Sequence, residues 1–323
     1  MIDQFGRNIN YLRVSVTDRC NLRCRYCMPD GVSCETHADI LRYEEILRIC
    51  RAAVALGITR FKITGGEPLV RKGCVGFIAA LKRTPGVEQV TMTTNGLLLG
   101  EHLDALCEAG LDGVNISLDT LDAARFRDIT GSAAFSPEDF LPLLERCCGK
   151  GLRTKINTVL LRENRDEAVT LAMLAQRLPV DVRFIELMPI GYGSAMERVS
   201  PDEVLAALQK QWPDLHPTAE KRGNGPAHYY AGADLLGCIG FIDAVSHRFC
   251  AACNRVRLTS TGQLKPCLCF DSTLDLRALL RAGCTEEELS EALRRAVYEK
   301  PRAHRFDEPR EISERRTMSQ IGG

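Results

Sequence analysis

The sequence predicts an α/β chain whose parallel strands are joined by helical crossovers and curve into an open sheet or an incomplete barrel. Six short β-like runs, at residues 12–16, 61–64, 87–93, 114–118, 154–160 and 182–187, are each followed by a helical pattern, and strands returned by helices run parallel. Three cysteines follow the first run directly. Sites on such sheets lie at the C-terminal strand ends, where that cysteine loop falls.

Taken in order, Leu12-Arg13-Val14-Ser15-Val16 alternates as a half-buried strand does. A helix over residues 43–56 puts Ile46, Ile49, Cys50, Ala53 and Val54 on one face and stops at Gly57, though its start has no good N-cap residue. Gly65-Gly66-Glu67-Pro68 closes the second run. A glycine pair there admits close backbone approach, although such a pair before proline is more often only a turn. Ser136-Pro137-Glu138-Asp139 offers an N-cap with proline at N1, and Asn164-Arg165-Asp166-Glu167 resembles a capping box. After about Ser200 the rhythm fades through Gln211-Trp212-Pro213-Asp214 and residues 221–226, which are turn-rich. Residues 237–269 carry short strands and a second cysteine group, 274–298 return to helix, and 310–323 form a polar tail, mobile unless docked. The chain therefore divides into a barrel-like unit, 1–200, and a C-terminal region, 201–323.

With 323 residues and 45% hydrophobic composition the chain can bury a sizeable core. Lys+Arg 42 balance Asp+Glu 42, so no global field recruits nucleic acid or membrane, and an anionic ligand needs locally placed cations. No run of about 18 uncharged apolar residues occurs, and Met1-Ile2-Asp3-Gln4 does not open a signal sequence, so a cytoplasmic protein is expected. In that reducing setting the fifteen cysteines read as metal ligands plus packing residues such as Cys50, Cys107 and Cys147.

Cys20-Asn21-Leu22-Arg23-Cys24-Arg25-Tyr26-Cys27 reads as a metal loop, because three thiols cannot pair off as disulfides and their spacing lets them converge. Two metals fit the residues. A zinc ion would take Cys34 or His37 as fourth ligand, whereas an iron-sulfur cube held by three thiolates leaves one iron open. The spacing, with Tyr26 before the third cysteine, resembles the radical S-adenosylmethionine (SAM) superfamily. That resemblance implies a [4Fe-4S] cluster on Cys20, Cys24 and Cys27 whose open iron chelates SAM, and a 5′-deoxyadenosyl radical as the reactive species. It also places Tyr26, Gly66, Ser117 and Met188 near the cofactor; a small hydroxyl or a methionine is otherwise usually packing.

The second group is Cys250-Ala251-Ala252-Cys253 with Cys267, and Cys269 could complete a zinc ribbon. Arg255 and Arg257 alternate beside it, so on a strand both guanidiniums face one side, an arrangement suited to anionic oxygens. With Gly65 to Pro68, Thr93-Thr94-Asn95-Gly96, Lys155-Ile156-Asn157, Lys300-Pro301, His304 and the final Gly322-Gly323, the pattern resembles the GTP 3′,8-cyclase family of molybdenum cofactor biosynthesis. The resemblance implies an incomplete (β/α)6 TIM-type barrel with a C-terminal cluster-binding extension. It implies a second [4Fe-4S] cluster on Cys250, Cys253 and Cys267 that binds guanine, and triphosphate and ribose contacts from Arg13, Lys62, Thr93, Lys155, Arg255, Val256 and Arg257. Gly322 and Gly323 are implied to enter the barrel and act in catalysis. The implied reaction is a lyase-type cyclisation of GTP to (8S)-3′,8-cyclo-7,8-dihydroguanosine 5′-triphosphate. A downstream cyclic pyranopterin monophosphate synthase, a flavodoxin-like reductant and a homodimer are the implied partners. A peptide-modifying radical enzyme would also carry accessory cysteines but has no need of two arginines beside them, and a non-catalytic zinc-stabilised scaffold, with the cysteines as staples, would hold zinc without iron.

Overall fold

The structure, a computed structural model, describes residues 1–31, 35, 36, 38–133, 136–271 and 274–323. Six strands, β1 (Tyr11–Ser15), β2 (Arg60–Thr64), β3 (Gln89–Thr94), β4 (Gly113–Ser117), β5 (Arg153–Val159) and β6 (Asp181–Ile185), pair in chain order and in parallel. Each lies within two residues of its expected bounds. The crossovers carry α1 (Tyr43–Ala55), α2 (Cys74–Lys82), α3 (Leu99–Glu108), α4 (Ala123–Thr130), α5 (Phe140–Gly149) and α6 (Ala168–Arg177).

The chain beyond β6 extends the same sheet at both edges. After α7 (Pro201–Gln211), strands β7 (His216–Thr218) and β8 (His228–Ala231) lead into β9 (Ile239–Ile242), which pairs with β6 in parallel. Strand β10 (Arg255–Leu258) pairs with β1 at the opposite edge, also in parallel. Antiparallel strands β11 (Gln263–Lys265) and β12 (Leu274–Asp275) follow it outward, before α8 (Leu276–Arg281) and α9 (Glu286–Tyr298). Eight parallel strands thus line one curved face.

Strand alternation sorts the side chains. Leu12, Val14, Phe61, Ile63, Val90, Met92, Val114, Ile116, Ile156, Val182, Phe184, Val256 and Leu258 face outward and form one core with the helices, including Ile46, Ile49, Cys50, Ala53 and Cys147. Their neighbours, Arg13, Lys62, Thr93, Asn115, Lys155, Arg183, Arg255 and Arg257, face the inside of the curve. Cys50 and Cys147 do pack in the core, with Cys107 partly buried against it.

Several local expectations change. Residues 201–211 are helical where the apolar rhythm faded: Pro201 sits at N1, and the buried stripe is only Val204 and Leu208 beside it. The helix expected over 274–298 breaks at Gly283, whose φ of 83° a side chain would resist, and restarts with Thr285 and Glu288 in a capping box. Asn164 caps nothing. Its amide donates to the main-chain oxygens of Asp119 at 2.7 Å and Val159 at 2.9 Å, while Glu167 accepts from Thr120 and the Leu121 N–H. Helix α1 begins at Arg42, whose N–H donates to Glu45 at 2.7 Å, the half of a capping box that needs no N-cap acceptor. The Ser136 hydroxyl accepts the Glu138 N–H at 3.4 Å above a short 3-10 turn, Pro137–Asp139, that leads into α5. The tail is docked, with Ile312, Ser319 and Ile321 buried.

Candidate functional site

The sheet register assembles the inner face. Arg13 lies between Arg257 and Lys62, Thr93 beside Asn115, and Asn115 beside Lys155, which adjoins Asp181. Asn157 stands next to Arg183 and accepts a hydrogen bond from it at 2.5 Å. All of these groups except Asp181 line one cavity of about 360 Å³.

The cations there are short of anions. Lys155 is paired with Asp181 and donates to the Tyr229 hydroxyl at 3.0 Å. Lys62 makes no ion pair among the described residues, and its ammonium is driven well below its ordinary pKa by burial and then by Arg183, Arg13, Lys155 and Arg255. Arg257 is pushed down by burial and then by Arg13 and Arg255. Among the described residues, Arg13, Arg183 and Arg255 each keep a buried Nε without a partner. Buried donors of one sign, left unsatisfied, are a site for a multiply charged anion.

The first cysteine group leaves the end of β1. The N–H groups of Cys27 and Met28 both donate to the Cys24 oxygen at 2.9 Å, which winds the loop so that the sulfurs turn to the cavity. The Leu22 N–H donates to Cys20 Sγ at 3.4 Å, and the Asn95 amide reaches the same sulfur at 3.8 Å. The glycine pair seats this loop: a Cβ on Gly66 would stand 2.3 Å from the Arg19 oxygen, and the Gly66 and Glu67 N–H groups donate to Thr17 and Arg19 at 2.8 Å. Glu67 is buried, which raises its carboxyl to about 7, and it accepts from the Leu69 and Asn95 N–H groups and the Thr94 hydroxyl. The Tyr26 hydroxyl donates to Asp119 at 2.8 Å, and burial lifts Asp119 to about 6.

Burial pushes the Cys27 thiol up to about 12 and raises Cys24 well above its ordinary value, and the three sulfurs bear electrostatically on one another. Three free thiols so gathered fit a three-thiolate cluster, whose iron would displace their protons. Cys34 and His37, the fourth ligands a zinc ion would need, lie outside the described residues.

In the second group, Cys250 and Cys253 flank a 3-10 turn, Cys250–Ala252, and Cys267 follows β11. All three line the same cavity, and Cys267 and Cys253 bear on Cys250. Burial opposes ionisation of Cys253, yet Lys300 and Arg255 outweigh it and draw the thiol below its ordinary value. Cys269 is separate. It is fully buried with Ile190, Ala244, Phe306, Ile312 and Ile321, accepts the Arg305 N–H at 3.3 Å, and its thiol is pushed up to about 11 by burial. Cys269 does not line the cavity, and the three sulfurs that do fit a second three-thiolate cluster.

Tyr26, Gly66, Ser117 and Met188 line the cavity with both cysteine groups, as do Arg13, Lys62, Thr93, Lys155, Arg255, Arg257 and Gly323. Two expected residues stand apart. The Val256 side chain faces the outer core, as the residue between two inward arginines must. Gly322 lies behind the lining, where its oxygen accepts from Arg257 at 3.1 Å and a Cβ would meet that of Ser15 at 2.9 Å. Arg13 donates to the main-chain oxygen of Gly323. Arg153, Arg183 and Asn115 also line the cavity without a sequence assignment, as does Asn157, which the sequence marks only as part of the Lys155-Ile156-Asn157 motif. For Arg183 a signal existed: Asp181-Val182-Arg183-Phe184 alternates charge with apolar residues in a strand flanked by helices.

The radical SAM superfamily model matches residues 14–175, and a model described as Molybdenum Cofactor Synthesis C matches residues 180–306. A protein named GTP 3′,8-cyclase from Clostridium perfringens (strain SM101 / Type A) is 42% identical over 325 residues, covering 100% of both chains. Proteins of the same name from Heliobacterium modesticaldum and Pelotomaculum thermopropionicum are each 46% identical, over 329 and 331 residues and again 100% of both chains. Among solved structures, Streptococcus suis SuiB bound to S-adenosylmethionine superposes with a TM-score of 0.64 at 14% identity, covering 97% of this chain and 78% of that one, a likeness of fold.

Proposed function

The chain belongs to the GTP 3′,8-cyclase family of the radical SAM superfamily, and we propose that it converts GTP to (8S)-3′,8-cyclo-7,8-dihydroguanosine 5′-triphosphate, a lyase reaction of molybdenum cofactor biosynthesis. The observation that carries this is one cation-lined cavity faced by two separate three-cysteine groups, in a chain whose whole length matches those relatives. A [4Fe-4S] cluster held by Cys20, Cys24 and Cys27 would, with SAM, supply a 5′-deoxyadenosyl radical able to take the 3′ hydrogen of GTP.

The remaining roles belong to this chain's residues. Tyr26, held by Asp119, and Gly66, Ser117 and Met188 would seat SAM. Arg13, Lys62, Thr93, Lys155, Arg255 and Arg257 would hold triphosphate and ribose, with Val256 setting the spacing of the two arginines. Cys250, Cys253 and Cys267 would carry the second [4Fe-4S] cluster, against which guanine binds. Gly322 and Gly323, bonded to Arg257 and Arg13, would hold the substrate in line for hydrogen abstraction and keep water out. The division at about Ser200 follows: the first part serves SAM, the second the second cluster and the tail.

The product is a reactive intermediate, which supports a downstream cyclic pyranopterin monophosphate synthase; a low-potential donor such as a flavodoxin, a homodimer and a cytoplasmic setting complete the reading. Among the described residues no helix is long and apolar enough to cross a membrane. The test is anaerobic reconstitution followed by GTP and SAM. The expected result is about eight irons per chain, with 5′-deoxyadenosine and the cyclised nucleotide formed together. One cluster plus a tightly held zinc ion, or SAM cleavage indifferent to GTP, would overturn the reading.

A further inference from the structure

The loop that carries Cys267 and the root of the C-terminal tail are joined by a buried ion pair. Lys265, the last residue of β11, and Glu314 have side chains 0% and 1% exposed, and the ammonium donates to the carboxylate and to the Phe270 oxygen. The Glu314 N–H donates to the Cys269 oxygen at 3.3 Å, and its carboxylate also accepts from the Arg316 N–H at 2.7 Å and Nε at 3.1 Å. Arg316 reaches Asp271 at 2.9 Å, and the Asp271 N–H donates to the Ser313 hydroxyl at 3.0 Å. Four of these ties join residues 313–316 to 265–271: Lys265 to Glu314, Glu314 to Cys269, Arg316 to Asp271 and Asp271 to Ser313.

Beyond Arg316 the tail is held by Ile321, buried beside Cys269 and Phe306, by Ser319 against Cys27, and at its end. Of residues 317–323 only Met318 and Ile321 are large and apolar, and the segment folds back on itself through Gln320 to Thr317 at 3.1 Å and Gly323 to Met318 at 2.9 Å. It ends on Arg257 and Arg13. A buried ion pair is not a strong source of stability compared with an apolar pair, because both charges lose water. What it does supply is register. An apolar contact tolerates sliding, whereas a carboxylate with donors from Lys265 and Arg316 fits at one position.

We propose that the Lys265–Glu314 pair is a positioning device: it anchors the tail in one register on the loop that carries Cys267, so that Gly323 is seated at the cavity, with Gly322 behind it, only when that loop is formed. The proposal rests on the reading above, in which the two glycines hold the substrate for hydrogen abstraction. It makes the second cysteine group and the tail one mechanical unit.

The test uses the full chain with both clusters reconstituted, comparing Glu314→Gln with the parent and with a chain lacking Gly322-Gly323. For Glu314→Gln, hydrogen exchange of residues 317–323, read by mass spectrometry, should accelerate about tenfold or more. Iron content and the KM for GTP should hold, 5′-deoxyadenosine should still form, and cyclised nucleotide should fall by up to about a hundredfold, as a misplaced group predicts. If Glu314→Gln fails to load iron, Lys265→Met with Glu314→Leu removes both buried charges, and the same loosened tail and uncoupled SAM cleavage are expected. Tail exchange and cyclisation at parental values in a loaded variant would overturn the anchor. Full cyclisation by the chain lacking the glycines would instead overturn the reading of the tail, while the exchange data would still report on the anchor.

Discussion

The guanidinium of Arg7 donates at 3.0 Å to the main-chain oxygen of Cys250, 243 residues along the chain. The same group donates to the oxygens of Arg302 at 2.9 Å and Pro301 at 2.7 Å and pairs with buried Asp3 at 2.7 Å. Arg7 thus fastens the turn that holds Cys250 to the turn that presents Lys300, the cation that draws on Cys253.

Replacing Arg7 with Ala should therefore cost about 3 kcal/mol of stability, because Asp3 is left charged, buried and unpaired. The loss should fall on the second group. Iron content should drop toward about four per chain, one cubic cluster, with SAM cleavage retained; a variant that keeps its full iron would refute the link.

Cys253→Ser should abolish GTP turnover while leaving the first cluster able to bind SAM, since the two ligand sets are on different loops. Iron analysis and SAM binding by calorimetry check this. Loss of both clusters together would mean that they form only as a unit.

Arg257→Ala and Val256→Ala should separate binding from packing. The arginine variant should weaken GTP binding by about 1.5 to 3 kcal/mol, the range for a hydrogen bond to a charged partner, with iron unchanged. The valine variant should instead lose roughly 1 to 3 kcal/mol of stability and keep its GTP affinity, because its side chain is in the outer core. Denaturation and equilibrium binding distinguish the two.

Lys62 should make GTP binding pH-dependent. In the free protein its pKa is lowered by burial and by Arg183, Arg13, Lys155 and Arg255, and a bound triphosphate would raise it again. Binding then takes up a proton in the window between the two values, so affinity falls as pH rises through that window. Calorimetry in two buffers of different ionisation heat should show net uptake, and Lys62→Met should remove it; equal uptake by the variant would assign the proton elsewhere.

Much of this was legible without coordinates. The six strands followed from period-two alternation, the metal loops from cysteine spacing, and the inward pair Arg255 and Arg257 from their separation by one residue, all of which depend on chain geometry within a few positions. Arg183 is harder to assign because the alternation of Asp181 and Arg183 reads equally as an outward-facing charged pair. Helix α7 was missed because two buried residues make a weak stripe. Asn164 does not cap a helix because its side chain is taken up by Asp119, beyond the neighbouring strand, and by Val159 and Leu161, which precede it.

The sequence by itself therefore determined the local elements, the two three-thiol groups and the alternation that turns arginines to one side. Only the tertiary structure decided that β9 and β10 join opposite edges of one sheet, that Cys269 belongs to the core, and that the tail is tied by Glu314 to Lys265. The physical reason is range: propensity and periodicity act between near neighbours, whereas register between strands some 240 residues apart and the partner of a buried charge are settled only when the whole chain has closed around them.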